Sequence, residues 1–174
     1  MITIVVGTNR PDSISEQVAF YYQSLLTAHQ AESQIINLVD LPHDFAFSAL
    51  YKNSGKNAKF NLLRQSILEA ERFVFIVPEY NGSFPGVLKT FIDGMPYPSP
   101  FEDKLIALVG LSSGVQGGAL ALSHLTDIFS YLNGNVLGTR VKLIQVEKNM
   151  EDGKVTNALY NQLLNSQIER FLKY

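Results

Sequence analysis

The sequence predicts a doubly wound α/β domain, a parallel sheet covered by helices on both faces. Two observations carry this. Short apolar runs alternate along the chain with segments of helical periodicity. The runs are continuously apolar and not alternating, which marks strands buried on both faces, as in a parallel sheet between helix layers.

The runs come in order. Ile2 to Val6 is β-branched and stops at Gly7. Gln34 to Leu38 is weaker. Phe73 to Val77 is wholly apolar and stops at Pro78. Leu105 to Val109 stops at Gly110. A fifth run lies within Val136 to Val146 and is broken by Gly138, Thr139 and Arg140. The helices fall between and after them. Val18, Tyr22, Leu25 and Leu26 form one stripe; Leu62, Leu63, Ile67 and Leu68 a second. Val87, Leu88, Phe91 and Ile92 form a third, behind Pro85, which suits a first turn. Leu122, Leu125, Phe129 and Leu132 form a fourth, with Gly134 placed as the stop. Leu159, Leu163, Ile168, Phe171 and Leu172 form the last. Five βα units over 174 residues imply one domain, 1–174, with no linker, repeat or low-complexity tract. Asp44 to Lys59 and Met95 to Pro100 read as surface loops.

Composition narrows the function. Hydrophobic residues are 46% and charged residues 17%, as in an ordinary globular protein. Lys+Arg 14 against Asp+Glu 16 leaves a net charge of −2, far from the basic excess of a nucleic-acid groove. With no cysteine, disulfides, thiolate metal sites, iron–sulfur clusters and a cysteine nucleophile are excluded. The N-terminus lacks a basic segment and no apolar stretch reaches membrane-spanning length, so a cytoplasmic protein without membrane or nucleic-acid partners is expected.

Open sheets of this class bind ligands beyond the carboxyl ends of their strands. Three loops leave from there. Gly7 to Ser15 offers hydroxyls, backbone N–H groups, Arg10 and a helix start, a cradle for a phosphate dianion. The same residues also read blandly: Ser13 and Glu16 have capping-box spacing and Arg10 suits a solvated surface. The loop is neither a Walker A motif nor G-x-G-x-x-G. Pro78 to Gly86 offers Tyr80 for packing on a flat ring, backbone groups from Asn81 to Ser83 for heterocycle edges, and glycines for close approach. The alternative is a turn rich in turn residues. Gly110 to Gly118 favours backbone donors, or is simply a tight turn before a helix. His29, His43 and His124 lie outside these motifs and read as structural or exposed. No metal site and no catalytic side chain is expected.

Gly-Thr-x-Arg-x-x-Ser at 7 to 13, Pro-Glu-Tyr-Asn-x-Ser-x-Pro-Gly at 78 to 86 and Ser-x-Gly-x-x-Gly-Gly within 112 to 118 resemble the NADPH-dependent FMN reductase family, which includes flavodoxin-like quinone, chromate and azo-dye reductases. The resemblance runs along nearly the whole chain. It implies a flavodoxin-like sheet of five strands, order 2-1-3-4-5, and a homodimer with FMN near the subunit interface. Thr8, Arg10, Ser13 and Ser15 would hold the FMN phosphate. Pro78, Glu79, Tyr80, Asn81, Gly82 and Ser83 would line the isoalloxazine. Ser112, Gly114, Gln116 and Gly117 would face the flavin from the other side. NADPH or NADH would donate two electrons, and a quinone, free flavin or azo compound would accept them. Two positions depart from the usual pattern: Thr8 stands where serine is common, and Thr90-Phe91-Ile92-Asp93-Gly94 ends in glycine where many relatives carry tryptophan.

Three rivals remain on the residues alone. A one-electron carrier of the flavodoxin type usually has a strongly acidic docking face, which a net charge of −2 supports little. A phosphoacceptor domain needs acids where Gly7-Thr8-Asn9 and Pro78-Glu79 stand, and is rejected. The third is an FMN-binding protein without turnover.

Overall fold

In a computed structural model covering residues 1–174, the chain runs β1 (Ile2–Val6), α1 (Ile14–Ala28), β2 (Ser33–Asn37), α2 (Phe45–Ser48), α3 (Ala58–Leu68), β3 (Arg72–Pro78), α4 (Gly86–Asp93), β4 (Leu105–Leu111), α5 (Ala119–Tyr131), β5 (Asn135–Val136), β6 (Val141–Leu143), β7 (Met150–Glu151), β8 (Lys154–Val155) and α6 (Ala158–Lys173). The sheet order is β2-β1-β3-β4-β5, with β6 also on β4, and every pair in it is parallel. This is the expected order 2-1-3-4-5. No helix is long and apolar enough to cross a membrane.

Alternate strand residues feed two cores. Val5, Phe73, Phe75, Ile106 and Leu108 face α3, α4 and α5. Ile4, Val6, Val74, Ile76 and Val109 face α1 and α6. On the first face Phe73, Phe75, Phe101 and Phe129 form a ring cluster with centroids 4.7 to 6.1 Å apart, within the range where aromatic pairs attract.

The fifth run is two strands and not one. β5 pairs with Leu105 and Ile106, β6 with Val109 to Leu111, and the residues between leave the ladder. Gln167 of α6, fully buried, fills the break. Its Nε2 donates to Leu108 O at 3.0 Å and to Thr139 O at 2.8 Å, and its Oε1 accepts from Tyr22 OH at 3.1 Å. A buried carbonyl needs a donor, and a glutamine supplies two from one side chain.

Two helical stripes are shifted from the expected ones. On α3 the buried residues are Phe60 and Ile67, while Leu62 and Leu68 are exposed. On α6 they are Tyr160, Leu164, Gln167, Ile168 and Phe171, while Leu159 and Leu163 face outward. In both, an aromatic at the helix start fixes the rotation. Asp44 to Lys59 is not merely a surface loop: it contains α2, and Phe45, Ala49 and Leu50 are buried, with Phe45 stacked on Phe60 at 5.7 Å. Isolated apolar anchors in a polar stretch give no periodicity to read. The stop after α5 also differs. Asn133, φ +60°, takes the left-handed position, and Gly134 N–H closes the turn on Phe129 O at 2.8 Å.

Candidate functional site at the strand ends

β1, β3 and β4 end side by side, and each ladder runs one residue further. Gly7 N–H donates to Ile76 O at 2.8 Å, Glu79 N–H to Leu111 O at 3.0 Å and Ser112 N–H to Leu143 O at 3.1 Å. The three loops therefore leave one edge and enclose a cleft of about 280 Å³. Arg10, Ser13, Ser15, Pro78, Glu79, Tyr80 and Ser112 line it. Of the other expected residues, Thr8 lies beneath, and Asn81, Gly82, Ser83, Gly114, Gln116 and Gly117 belong to the flanking turns.

Ser13 caps α1, its Oγ accepting from Glu16 N–H at 3.2 Å. The Glu16 carboxylate does not return the bond. It accepts from Asn37 Nδ2 at 2.8 Å, so only half of the capping box forms. The N–H groups of Ile14 and Ser15 fall among the donors a helix start leaves unpaired, and both residues line the cleft at the positive end of the helix dipole. Arg10 is exposed at the rim. Thr8 is fully buried. Its Oγ1 accepts from Arg10 N–H at 3.2 Å and pairs with Tyr80 OH at 3.1 Å. It braces the cradle from below and ties the first loop to the second.

The second loop turns back on itself. Tyr80 N–H donates to Ser83 O at 2.8 Å and Ser83 N–H to Tyr80 O at 3.0 Å. Asn81 at φ +50° and Gly82 at φ +76° make this a primed turn, where an Asn-Gly pair suits both left-handed positions. Glu79 Oε2 is buried with no hydrogen-bond partner. Ser83 Oγ lies 2.8 Å from His124 Nδ1 on α5. His124 is exposed, as expected, but it is not remote from the motifs, because α5 packs beside this turn.

In the third loop Ser112 Oγ donates to Gly114 O at 3.1 Å and accepts from Gly117 N–H at 2.9 Å. Gly117 is at φ +58°, and a Cβ there would stand 2.9 Å from Lys142 Cβ, so it packs the loop onto β6. Gln116 is exposed at the rim. Two lining residues, Val146 and Glu147, had no signal in the motifs. Glu147, after β6, accepts a hydrogen bond from Ser113 Oγ. That bond, its own backbone N–H and the charge of Arg10 hold the Glu147 carboxyl below the usual carboxylate range. An acidic residue just past a strand of the same sheet edge was the one clue in the sequence.

The edge thus joins an anion cradle to a wall of backbone and ring. The model of the NADPH-dependent FMN reductase family matches residues 1–147. A 2-hydroxy-1,4-benzoquinone reductase of Burkholderia sp is 33% identical over 135 residues, 76% of this chain and 71% of its own length. An FMN-dependent NADPH-azoreductase of Staphylococcus saprophyticus is 29% identical over 86% of this chain and 80% of its own. Among solved structures, the flavoenzyme NAD(P)H:(acceptor) oxidoreductase FerB of Paracoccus denitrificans superposes with a TM-score of 0.80 at 26% identity, covering 99% of this chain and 95% of that one.

Proposed function

We infer, from a chain that belongs to the NADPH-dependent FMN reductase family, an enzyme that passes two electrons from a reduced nicotinamide through bound FMN to a small quinone or azo acceptor. The observation that carries the reading is the cleft itself. It sets a guanidinium, two serines and a capped helix start beside a buried carboxylate oxygen that lacks a donor.

The residues fit FMN. Arg10, Ser13, Ser15 and the first N–H groups of α1 suit the phosphate dianion, where charge-assisted bonds are strong. Glu79 Oε2, an acceptor without a partner, suits a hydroxyl of the ribityl chain. Pro78 to Ser83 and the turn from Ser112 to Gly117 suit the two sides of a flat ring. When bound, FMN supplies hydride transfer. The chain supplies position. Thr8 holds the Arg10 backbone and Tyr80 in one arrangement, Ser112 fixes its loop from within, and no side chain acts as nucleophile.

Three finer statements belong to the same proposal. The protein works in the cytoplasm, where reduced nicotinamide is available, with residues 1–174 as one domain. It also pairs as a homodimer through the outer side of α4 and α5. There Ile92, Met95, Tyr97, Tyr131 and Leu132 line an apolar hollow of about 530 Å³, with Tyr97 and Tyr131 almost fully exposed. Exposed apolar concavities of this kind mark association surfaces. Light scattering at micromolar concentration tests this: a dimer is expected, and an active monomer refutes it. The activity is tested by anaerobic reduction with each nicotinamide followed by a quinone or azo dye. Reduction and reoxidation in turn, with parallel lines in two-substrate kinetics, are expected. Reduced protein that no acceptor reoxidises contradicts turnover.

A further inference from the structure

We propose that His124 is a positioning residue of the ring site: its bond to Ser83 ties the Tyr80–Ser83 turn, one wall of that site, to α5, the helix that continues from the other wall. The proposal rests on the flavin reading above and goes beyond it in assigning the spacing of the two walls to a residue outside the three loops.

α5 is a fixed post. Ala121, Leu122, Leu125 and Phe129 bury one side of it in the core. Its start is pressed onto the end of β4, where a Cβ at Gly118 would stand 3.2 Å from Gly110 Cα. The turn has no such packing at its tip. Asn81 is exposed, and a Cβ at Gly82 would meet nothing nearer than Leu120 Cδ1 of α5, at 3.9 Å. Side-chain bonds hold the turn at its two ends instead. Tyr80 OH pairs with Thr8 Oγ1 at 3.1 Å, and Ser83 Oγ with His124 Nδ1 at 2.8 Å. The first bond joins the second loop to the first. The other joins it to the helix that the third loop begins.

The Ser83–His124 bond is exposed, so water competes for both partners and its net worth to folding is small. Its worth to a bound ring is separate. A ring laid against the turn needs the turn in one place, and a turn cut loose from α5 has to be ordered on binding, which weakens affinity.

Calorimetry on the whole chain with FMN and with riboflavin tests the assignment, using wild type, His124→Ala, His124→Asn and His124→Gln. His124→Ala is expected to weaken FMN and riboflavin alike by about two- to tenfold, because the two share the ring, and to move Tm by about 2 °C or less. Asparagine carries a polar atom at the δ position, where Nδ1 stands, and is expected to restore wild-type affinity. Glutamine carries its own at ε and is expected to behave as alanine. Ser83→Ala should match His124→Ala, and the double variant should lose nothing further. In the ligand-free protein, Ser83→Ala should move the His124 Nδ1 resonance by NMR. Unchanged affinities in His124→Ala, a loss confined to FMN, additive losses in the double variant, or asparagine no better than glutamine each overturn the proposal alone. A wild type that binds neither flavin overturns this proposal and the flavin reading together.

Discussion

Thr8→Val changes shape least and tests the junction of two loops. Valine keeps the volume of a fully buried residue and removes one acceptor. Two bonds go: Arg10 N–H to Oγ1 at 3.2 Å, and the pairing with Tyr80 OH at 3.1 Å. Each is worth about 0.5–1.5 kcal/mol net. The larger cost of a stranded buried donor is not added, because both bonds are only part-buried and Tyr80 is 38% exposed. The expected loss is about 2 kcal/mol, which lowers Tm by about 4–8 °C in a chain of this size. Denaturant unfolding and calorimetry measure it. A cycle with Tyr80→Phe isolates the shared bond, with a coupling of about 0.5–1.5 kcal/mol expected. FMN affinity should fall as well, because the Arg10 backbone loses its brace. A Thr8→Val protein with wild-type Tm, or strict additivity with Tyr80→Phe, would refute the view of Thr8 as the tie between cradle and ring wall.

Arg10→Ala should weaken FMN binding by about ten- to a hundredfold, from one or two charge-assisted bonds, and leave riboflavin binding unchanged; calorimetry decides. Gln167→Leu strands Leu108 O and Tyr22 OH in the interior and removes the donor to part-buried Thr139 O, so a loss of about 3 kcal/mol or more is expected, read as a Tm lower by about 6 °C or more. The Glu147 carboxyl is held low first by Ser113, so its contribution to stability is present above the ordinary carboxylate range and is lost as pH falls through the lowered value. Ser113→Ala should raise that titration toward the ordinary range by NMR; no change would mean that the bond does not hold in solution.

The strands were legible because burial on both faces leaves unbroken apolar runs, and the sheet order followed from the three loop motifs that mark this family. The same signal did not show that the last run splits. That depends on Gln167, some thirty residues away, reaching Thr139 O. α3 and α6 carry more leucines than their buried faces use, so periodicity alone chose Leu62 and Leu159 where packing chose Phe60 and Tyr160. The site was legible as three loops and not as bonds. Nothing in the order Gly7-Thr8-Asn9 reveals that the hydroxyl points inward to Tyr80. Glu147 lies 34 residues from Ser113 and in no motif, so only the fold brings the two together.

The central claim is tested most directly by loading the purified protein with FMN and titrating it anaerobically with NADPH and with NADH. The account predicts one tightly bound FMN per chain, held far better than riboflavin, and bleached in a single two-electron step by at least one nicotinamide. Equal affinity for FMN and riboflavin would contradict the phosphate cradle. Bleaching in two resolved one-electron steps, or none with either nicotinamide, would contradict the enzyme.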